Sequence, residues 1–165
     1  MKFTGQLPIT TNTISQTIIH NGHWLFPEQM GNTRDFPTKY IGFIYLIRDN
    51  YLKRFYLGKK LFYGSGNMNK GKESNWKSYI TSSKFFKEVF IQRPREEFDF
   101  ICLEQYKTRG TLSYAETWTL CFVEAPTNKS WYNTRIEQVS WKVTEAISER
   151  HKLRLKEALA FKEIQ

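Results

Sequence analysis

The sequence predicts an α+β fold: a small three-stranded antiparallel sheet flanked by helices, with an N-terminal arm before it and a C-terminal helix after it. Three observations carry this. Two apolar, aromatic-rich runs of strand length, residues 41–48 and 54–60, are separated by Asp49-Asn50, which suits a tight turn. A third run, 97–106, alternates, with Phe98, Phe100 and Cys102 on one side and Ile101 and Leu103 on the other. Apolar residues recur at helical spacing in 85–90, in 111–123 and from 137 to the C-terminus.

The composition suits one folded domain with modest extensions. The chain has 165 residues, 40% of them hydrophobic and 16% aromatic, enough to build a core and too apolar for a disordered tail. Three segments are expected: an arm over 1–39, a core over 40–136, and an amphipathic helix over 137–165. A net charge of +9 and a pI near 9.5 point to a polyanionic partner, either nucleic acid or an anionic membrane surface. No apolar run is long enough to span a membrane and no signal-peptide core opens the chain, so a soluble, cytoplasmic protein is expected. Cys102 and Cys121 lie in apolar segments away from other metal ligands and read as reduced core residues.

The arm contains Pro8, Pro27 and Pro37 and reads as extended or irregular, with Trp24-Leu25-Phe26 apolar enough to dock on the core. His20 and His23 have no ligand partners nearby and read as ordinary histidines. In the hairpin, a turn centred on Asn50-Tyr51 places Tyr45 opposite Tyr56 and Gly58 opposite Phe43. Both tyrosines then share one face. Tyrosine is a common cross-strand partner, so spacing alone favours a structural pair.

Residues 62–74 hold Gly64, Gly66 and Gly71 among polar residues but lack the Gly-Lys-Ser/Thr ending of a phosphate-binding loop. The segment reads as a flexible basic loop that can grip a phosphate backbone through Lys70 and Lys72. Ser82 or Ser83 caps a short helix ending near Gln92, before Pro94. Segment 111–123 is apolar on nearly every side as a helix, and Glu116 is its only carboxylate. A buried carboxylate costs several kcal/mol, on the order of an unpaired ion's penalty, unless it meets a cation or a wet cleft. Glu116 is therefore a functional candidate. The C-terminal helix carries Arg150, His151, Lys152, Arg154 and Lys156, a basic face that fits DNA.

Phe43-Ile44-Tyr45 in the first strand and Tyr56-Leu57-Gly58 in the second resemble the GIY-YIG nuclease motif with conservative replacements. Gly58-Lys59-Lys60, Trp76-Lys77-Ser78-Tyr79, Ser82-Ser83 and Ser113-Tyr114-Ala115-Glu116 are similar to free-standing phage homing endonucleases of the Seg-like type in that family. The resemblance covers about residues 40–136. It implies a double-stranded DNA endonuclease dependent on Mg²⁺ or Mn²⁺, acting in the host cell cytoplasm if phage-encoded. Glu116 becomes the metal ligand, Tyr45 the general base with its proton loosened by nearby cations such as Lys60, Tyr56 and Tyr79 the groups that position water or phosphate, and Asn133 a brace. Arg54, Lys59, Lys70, Lys72, Ser82, Ser83 and Lys84 are the implied nucleic-acid contacts. The family's usual arginine on the first helix after the hairpin is missing, since no arginine lies between Arg54 and Arg93. Lys60, Lys77 or Arg54 is expected to stand in. The rival reading is a catalytically weak or inactive nucleic-acid-binding module on the same fold.

Overall fold

Strands β3 (Gly42–Asp49) and β4 (Arg54–Leu61) form the tyrosine hairpin, and the turn between them sets its register. The computed structural model describes residues 18–27, 36–64, 71–139 and 142–161. The Asp49 carboxylate accepts from the backbone N–H groups of Tyr51 (3.1 Å) and Leu52 (2.9 Å), and Lys53 takes a left-handed φ of 55°. This Asx-type cap makes a four-residue connection where a two-residue turn was expected. Tyr45 therefore pairs with Gly58 and Tyr56 with Ile47. A shift of two residues preserves the face, so the tyrosines stand diagonally on one side with ring centroids 6.3 Å apart. Gly58 lies beneath Tyr45 itself: a Cβ there would come within 2.3 Å of the Tyr45 hydroxyl.

Strand β5 (Phe98–Tyr106) pairs antiparallel with the other edge of β3. The sheet does not stop at three strands. β1 (Ile18–Asn21) and β2 (Trp24–Pro27) form a second hairpin, and β2 runs parallel to β5, giving a five-stranded mixed sheet in the order β1-β2-β5-β3-β4. Within the arm expected to be extended or irregular, residues 18–27 are extended and pair into the sheet, with Trp24 and Phe26 docked on the core as their apolarity suggests, while 1–17 lie outside the described residues. Four-residue strands are too short to show alternation. Their burial explains them: Trp24 is fully buried, its indole N–H donates to the Trp76 carbonyl (2.6 Å), and its ring meets Phe43 and Phe100 edge-on.

The two sheet faces have separate cores. Phe43, Tyr45, Ile47 and Tyr56 point to one face, where they pack with Trp24, Phe26, Phe62, Trp76 and α2 (Lys84–Ile91), a helix that follows the short α1 (Phe36–Lys39) in chain order. Ser83 caps α2 as expected, its hydroxyl accepting from Phe86 N–H at 3.2 Å. Ile44, Leu46, Phe55 and Leu57 point to the other face and meet α3 (Arg109–Phe122) and α4 (Glu149–Ala158). Thr108 caps α3, which is why that helix starts ahead of residue 111. Cys102 is buried, but Cys121 falls on the outward side near the end of α3 and is exposed, which corrects its expected place in the core.

The helix expected from 137 to the C-terminus is also corrected. Residues 142–148 are non-helical, Thr144 bonding back to Thr111 and Thr108, and Ser148 starts α4 by accepting from His151 N–H at 3.0 Å. Of the five basic residues expected along DNA, His151 and Arg154 are buried, while Lys152 and Lys156 are exposed. Arg150 forms a two-pronged pair with the buried Glu104 (2.6 and 2.7 Å), Arg154 donates to Leu103 carbonyl (3.0 Å), and Lys152 pairs with Glu149 (2.6 Å). His151 is fully buried between Tyr106 and Thr119. Thr119 spends its only hydroxyl proton on the Ala115 carbonyl, so it accepts from His151 Nε2–H, leaving Nδ1 to accept from Tyr106. Among the described residues no helix is long and apolar enough to cross a membrane.

Gly58→Ala should cost about 1–3 kcal/mol in chemical denaturation through forced displacement of Tyr45; an unchanged midpoint would contradict the close approach. Burial lowers the His151 pKa from 6.5 to about 4, so its stabilising contribution is full above pH 6.5 and is lost as pH falls toward 4. The loss is on the order of 3 kcal/mol. His23, also lowered to about 4 by burial, acts with the same sign. The slope of melting temperature between pH 4.5 and 6.5 should therefore shrink, without vanishing, in His151→Gln.

Candidate active site

β4 is an edge strand, and its outer rim is closed by the segment following α3. Phe55 N–H donates to Ser130 carbonyl and Tyr132 N–H to Phe55 carbonyl, both at 2.8 Å. Asn133 continues this pairing with its side chain. Its Oδ1 accepts from Leu57 N–H and its Nδ2 donates to Leu57 carbonyl, each at 2.8 Å. The segment is anchored from behind, because the Tyr132 hydroxyl donates to buried Asp49 at 2.7 Å. Burial acts to raise the Asp49 pKa, but Arg93, Tyr132 and the turn amide outweigh it and hold it below its ordinary value.

Around this rim opens a cleft of about 640 Å³. β4 contributes Tyr56 and Leu57, the start of α2 contributes Ser82 to Phe85, α3 contributes Glu116 and Leu120, and residues 132–137 form the remaining wall. Tyr56, Glu116 and Asn133, together with Ser82, Ser83 and Lys84, thus share one cavity. Glu116 reaches it from the opposite side of the sheet from Tyr56.

The cation that meets Glu116 is Lys59. Its ammonium forms an ion pair with Glu116 and a second with Glu137 at 3.1 Å. Burial acts to lower the Lys59 pKa, but the two carboxylates outweigh it and hold it above its ordinary value. Burial likewise pushes the Glu116 carboxyl up, and Lys59 offsets part of that rise. Lys59 was expected at a phosphate backbone; instead its charge is spent on these acids.

The phenols depart from expectation. Tyr45 is 1% exposed and lies behind Tyr56. Burial pushes its pKa well above the ordinary value, and Tyr56, Tyr79 and Glu116 add to the rise, so its proton is held and not loosened. Tyr56 is raised by burial too. Thr81, fully buried, offsets part of the rise on both phenols.

Lys60 does not reach the Tyr45 oxygen. It donates to Asn75 (3.0 Å) and sits 4.0 Å over the Tyr79 ring, which meets Tyr45 edge-on; neither lines the cleft. Lys77 pairs with Glu73 at 3.7 Å and lies away from the cleft. Arg54 donates to Trp131 carbonyl (2.9 Å) and covers the Tyr132 ring at 4.0 Å, bracing the rim segment. Lys72 is exposed outside the cleft lining, and Lys70 lies outside the described residues. Thr81, Phe85, Arg135 and Glu137 were not singled out from the sequence. The last two stand within four residues of Asn133, a proximity that could have drawn them in.

The family model described as "Putative endonuclease segE, GIY-YIG domain" matches residues 24–136. The chain belongs to the GIY-YIG endonuclease family, of the Seg-like type. No curated protein and no solved structure matches it. The GIY-YIG match begins at Trp24 in β2, so it includes part of the segment set apart as an arm, and it ends at Ile136 on the cleft wall. Nucleases of this family generally use divalent metals.

The donor set of this GIY-YIG site fits an open metal site, not a closed one. Among the described residues no group of three or more His, Cys, Asp or Glu is arranged for a metal. Glu116 and Glu137 do supply hard oxygen donors that already hold one cation, the Lys59 ammonium. One or two carboxylates completed by substrate oxygens and water is a normal Mg²⁺ environment.

Asn133→Asp should lower stability by about 1–3 kcal/mol, because it keeps the acceptor for Leu57 N–H but sets lone pairs against Leu57 carbonyl. Hydrogen exchange at the Leu57 amide should quicken with it. Wild-type exchange in this variant would show that the rim is held by other contacts.

Proposed function

We propose that the chain is a metal-dependent endonuclease that hydrolyses phosphodiester bonds of double-stranded DNA, a free-standing homing enzyme of phage type acting in the host cytoplasm. The observation that carries this is the single cleft shared by Tyr56, Glu116 and Asn133, three residues that the family resemblance assigns to one site. The net charge of +9 supports a polyanionic substrate.

Glu116, with Glu137 beside it, would hold Mg²⁺ or Mn²⁺, and the ion would polarise the scissile phosphate and offset charge on the leaving oxygen. Lys59, which pairs with both carboxylates, would have to give up Glu116 for that ion to be held there. Tyr56, protonated at neutral pH, donates a hydrogen bond to phosphate or water. Tyr45, whose ring centroid lies 6.3 Å from that of Tyr56, would take the proton of the attacking water only as its phenolate, and only where water reaches it past Tyr56. Asn133 fixes the strand edge from which Tyr56 projects. Ser82, Ser83 and Lys84 bind the DNA backbone on the opposite wall.

The raised Tyr45 pKa has a kinetic consequence. Below that pKa the phenolate fraction grows tenfold per pH unit, so the cleavage rate should climb with pH from 7 to 9. A rate flat across that range would remove Tyr45 as the base.

One observation favours the rival reading of a binding module without catalysis: the ammonium of Lys59 engages the metal-ligand candidate. Incubating plasmid and long natural duplex DNA with Mg²⁺ separates the two. Cutting that Glu116→Ala and Tyr45→Phe both abolish is the predicted result; equal gel shifts without cutting in all three proteins would establish the module.

A further inference from the structure

We infer that Arg135 is the guanidinium that clamps the scissile phosphate in this site; the inference rests on the nuclease reading above. Phosphoryl transfer concentrates negative charge on the non-bridging oxygens, and a cation preorganised inside the cleft is the protein's main means of stabilising it. The charges in and beside the cleft narrow the candidates. Lys59 is engaged by two carboxylates. Lys84 is exposed at the start of α2 and is a point charge without a planar fork.

The arginines flanking the hairpin are committed to the fold. Arg48 pairs with Asp99 at 2.7 Å. Arg54 braces Trp131 and Tyr132. Arg93 is held by buried Asp49 and by Glu97. Arg135 differs from all three: it is exposed, lines the cleft, and makes no ion pair or hydrogen bond among the described residues.

Its backbone is well placed for such a role. Two residues earlier, Asn133 is fixed to Leu57 by a pair of 2.8 Å bonds, and Tyr132 before it is tied to Asp49. A rigid base therefore places an uncommitted arginine on the same wall as Glu137, in the lining of a cavity that also holds Tyr56 and Glu116. Five donors in a planar fork can grip two phosphate oxygens at once, which lysine does not do. The clamp comes from the loop after Asn133 and not from the helix after the hairpin, which has no arginine.

The test is single-turnover cleavage of duplex DNA with Mg²⁺ by wild type, Arg135→Ala, Arg135→Lys and Glu116→Gln, with DNA affinity measured separately without divalent ion. Arg135→Ala should lose on the order of 10²- to 10³-fold in cleavage rate, as removal of one preorganised transition-state donor does, with a much smaller loss of affinity. Lysine should restore part of the rate, and added guanidinium should rescue the alanine variant alone. Because the side chain is exposed, the melting temperature should not move. Cleavage by Arg135→Ala within about threefold of wild type, with Glu116→Gln inactive, would overturn the clamp and leave the nuclease standing. Equal losses in rate and affinity would also overturn it, making Arg135 a plain backbone contact. Wild-type protein that cuts no DNA would overturn the nuclease reading and the clamp with it.

Discussion

An edge strand carries a row of backbone groups with no neighbour, and the structure depends on how β4 resolves this. Ser130 and Tyr132 pair with Phe55, and then the Asn133 amide takes the place of a further strand residue by engaging both backbone groups of Leu57. Pairing by a side chain ends the strand-like contact there. The rim beyond is left open, and the chain turns away to build a wall at a distance from it.

That arrangement solves a topological problem. Along β4, Tyr56 points to the face covered by α2, whereas Lys59 points to the face covered by α3. A phenol on one face and a carboxylate on a helix packed against the other cannot meet through the sheet. They meet around its edge. Glu116 tolerates its burial there because it faces a cavity and an ammonium together, the two conditions that relieve a carboxylate of its desolvation cost.

Much of this was legible in the sequence because it rests on local chemistry. The alternation of β5, the serine cap of α2, and the isolation of Glu116 in an apolar helix each have a short-range cause. The hairpin register was misplaced because the Asp49 side chain lengthens the turn, yet the shared face of the tyrosines survived, since the shift was even. The first two strands escaped notice because four residues show no period and their warrant is tertiary, in Trp24 lodged against Trp76 and Phe100. The partners of two residues in the C-terminal basic run were hidden for a related reason: Arg150 and Arg154 answer a buried glutamate and a strand carbonyl that lie far away in sequence. At the site, charge alone did not reveal which lysine meets Glu116. Side-chain alternation along β4 assigns it to Lys59 and turns Lys60 toward Asn75 and Tyr79.

The central proposal is that a divalent ion would be held at the open rim of β4, by Glu116 from a helix on one face and beside the Tyr56 phenol from the other. Paramagnetic broadening of backbone amide signals by substoichiometric Mn²⁺ tests it most directly. The account predicts that the amides of Gly58, Lys59, Glu116 and Glu137 broaden together, and that Glu116→Gln removes the effect. Broadening centred on another surface, or persisting unchanged in Glu116→Gln, would contradict it.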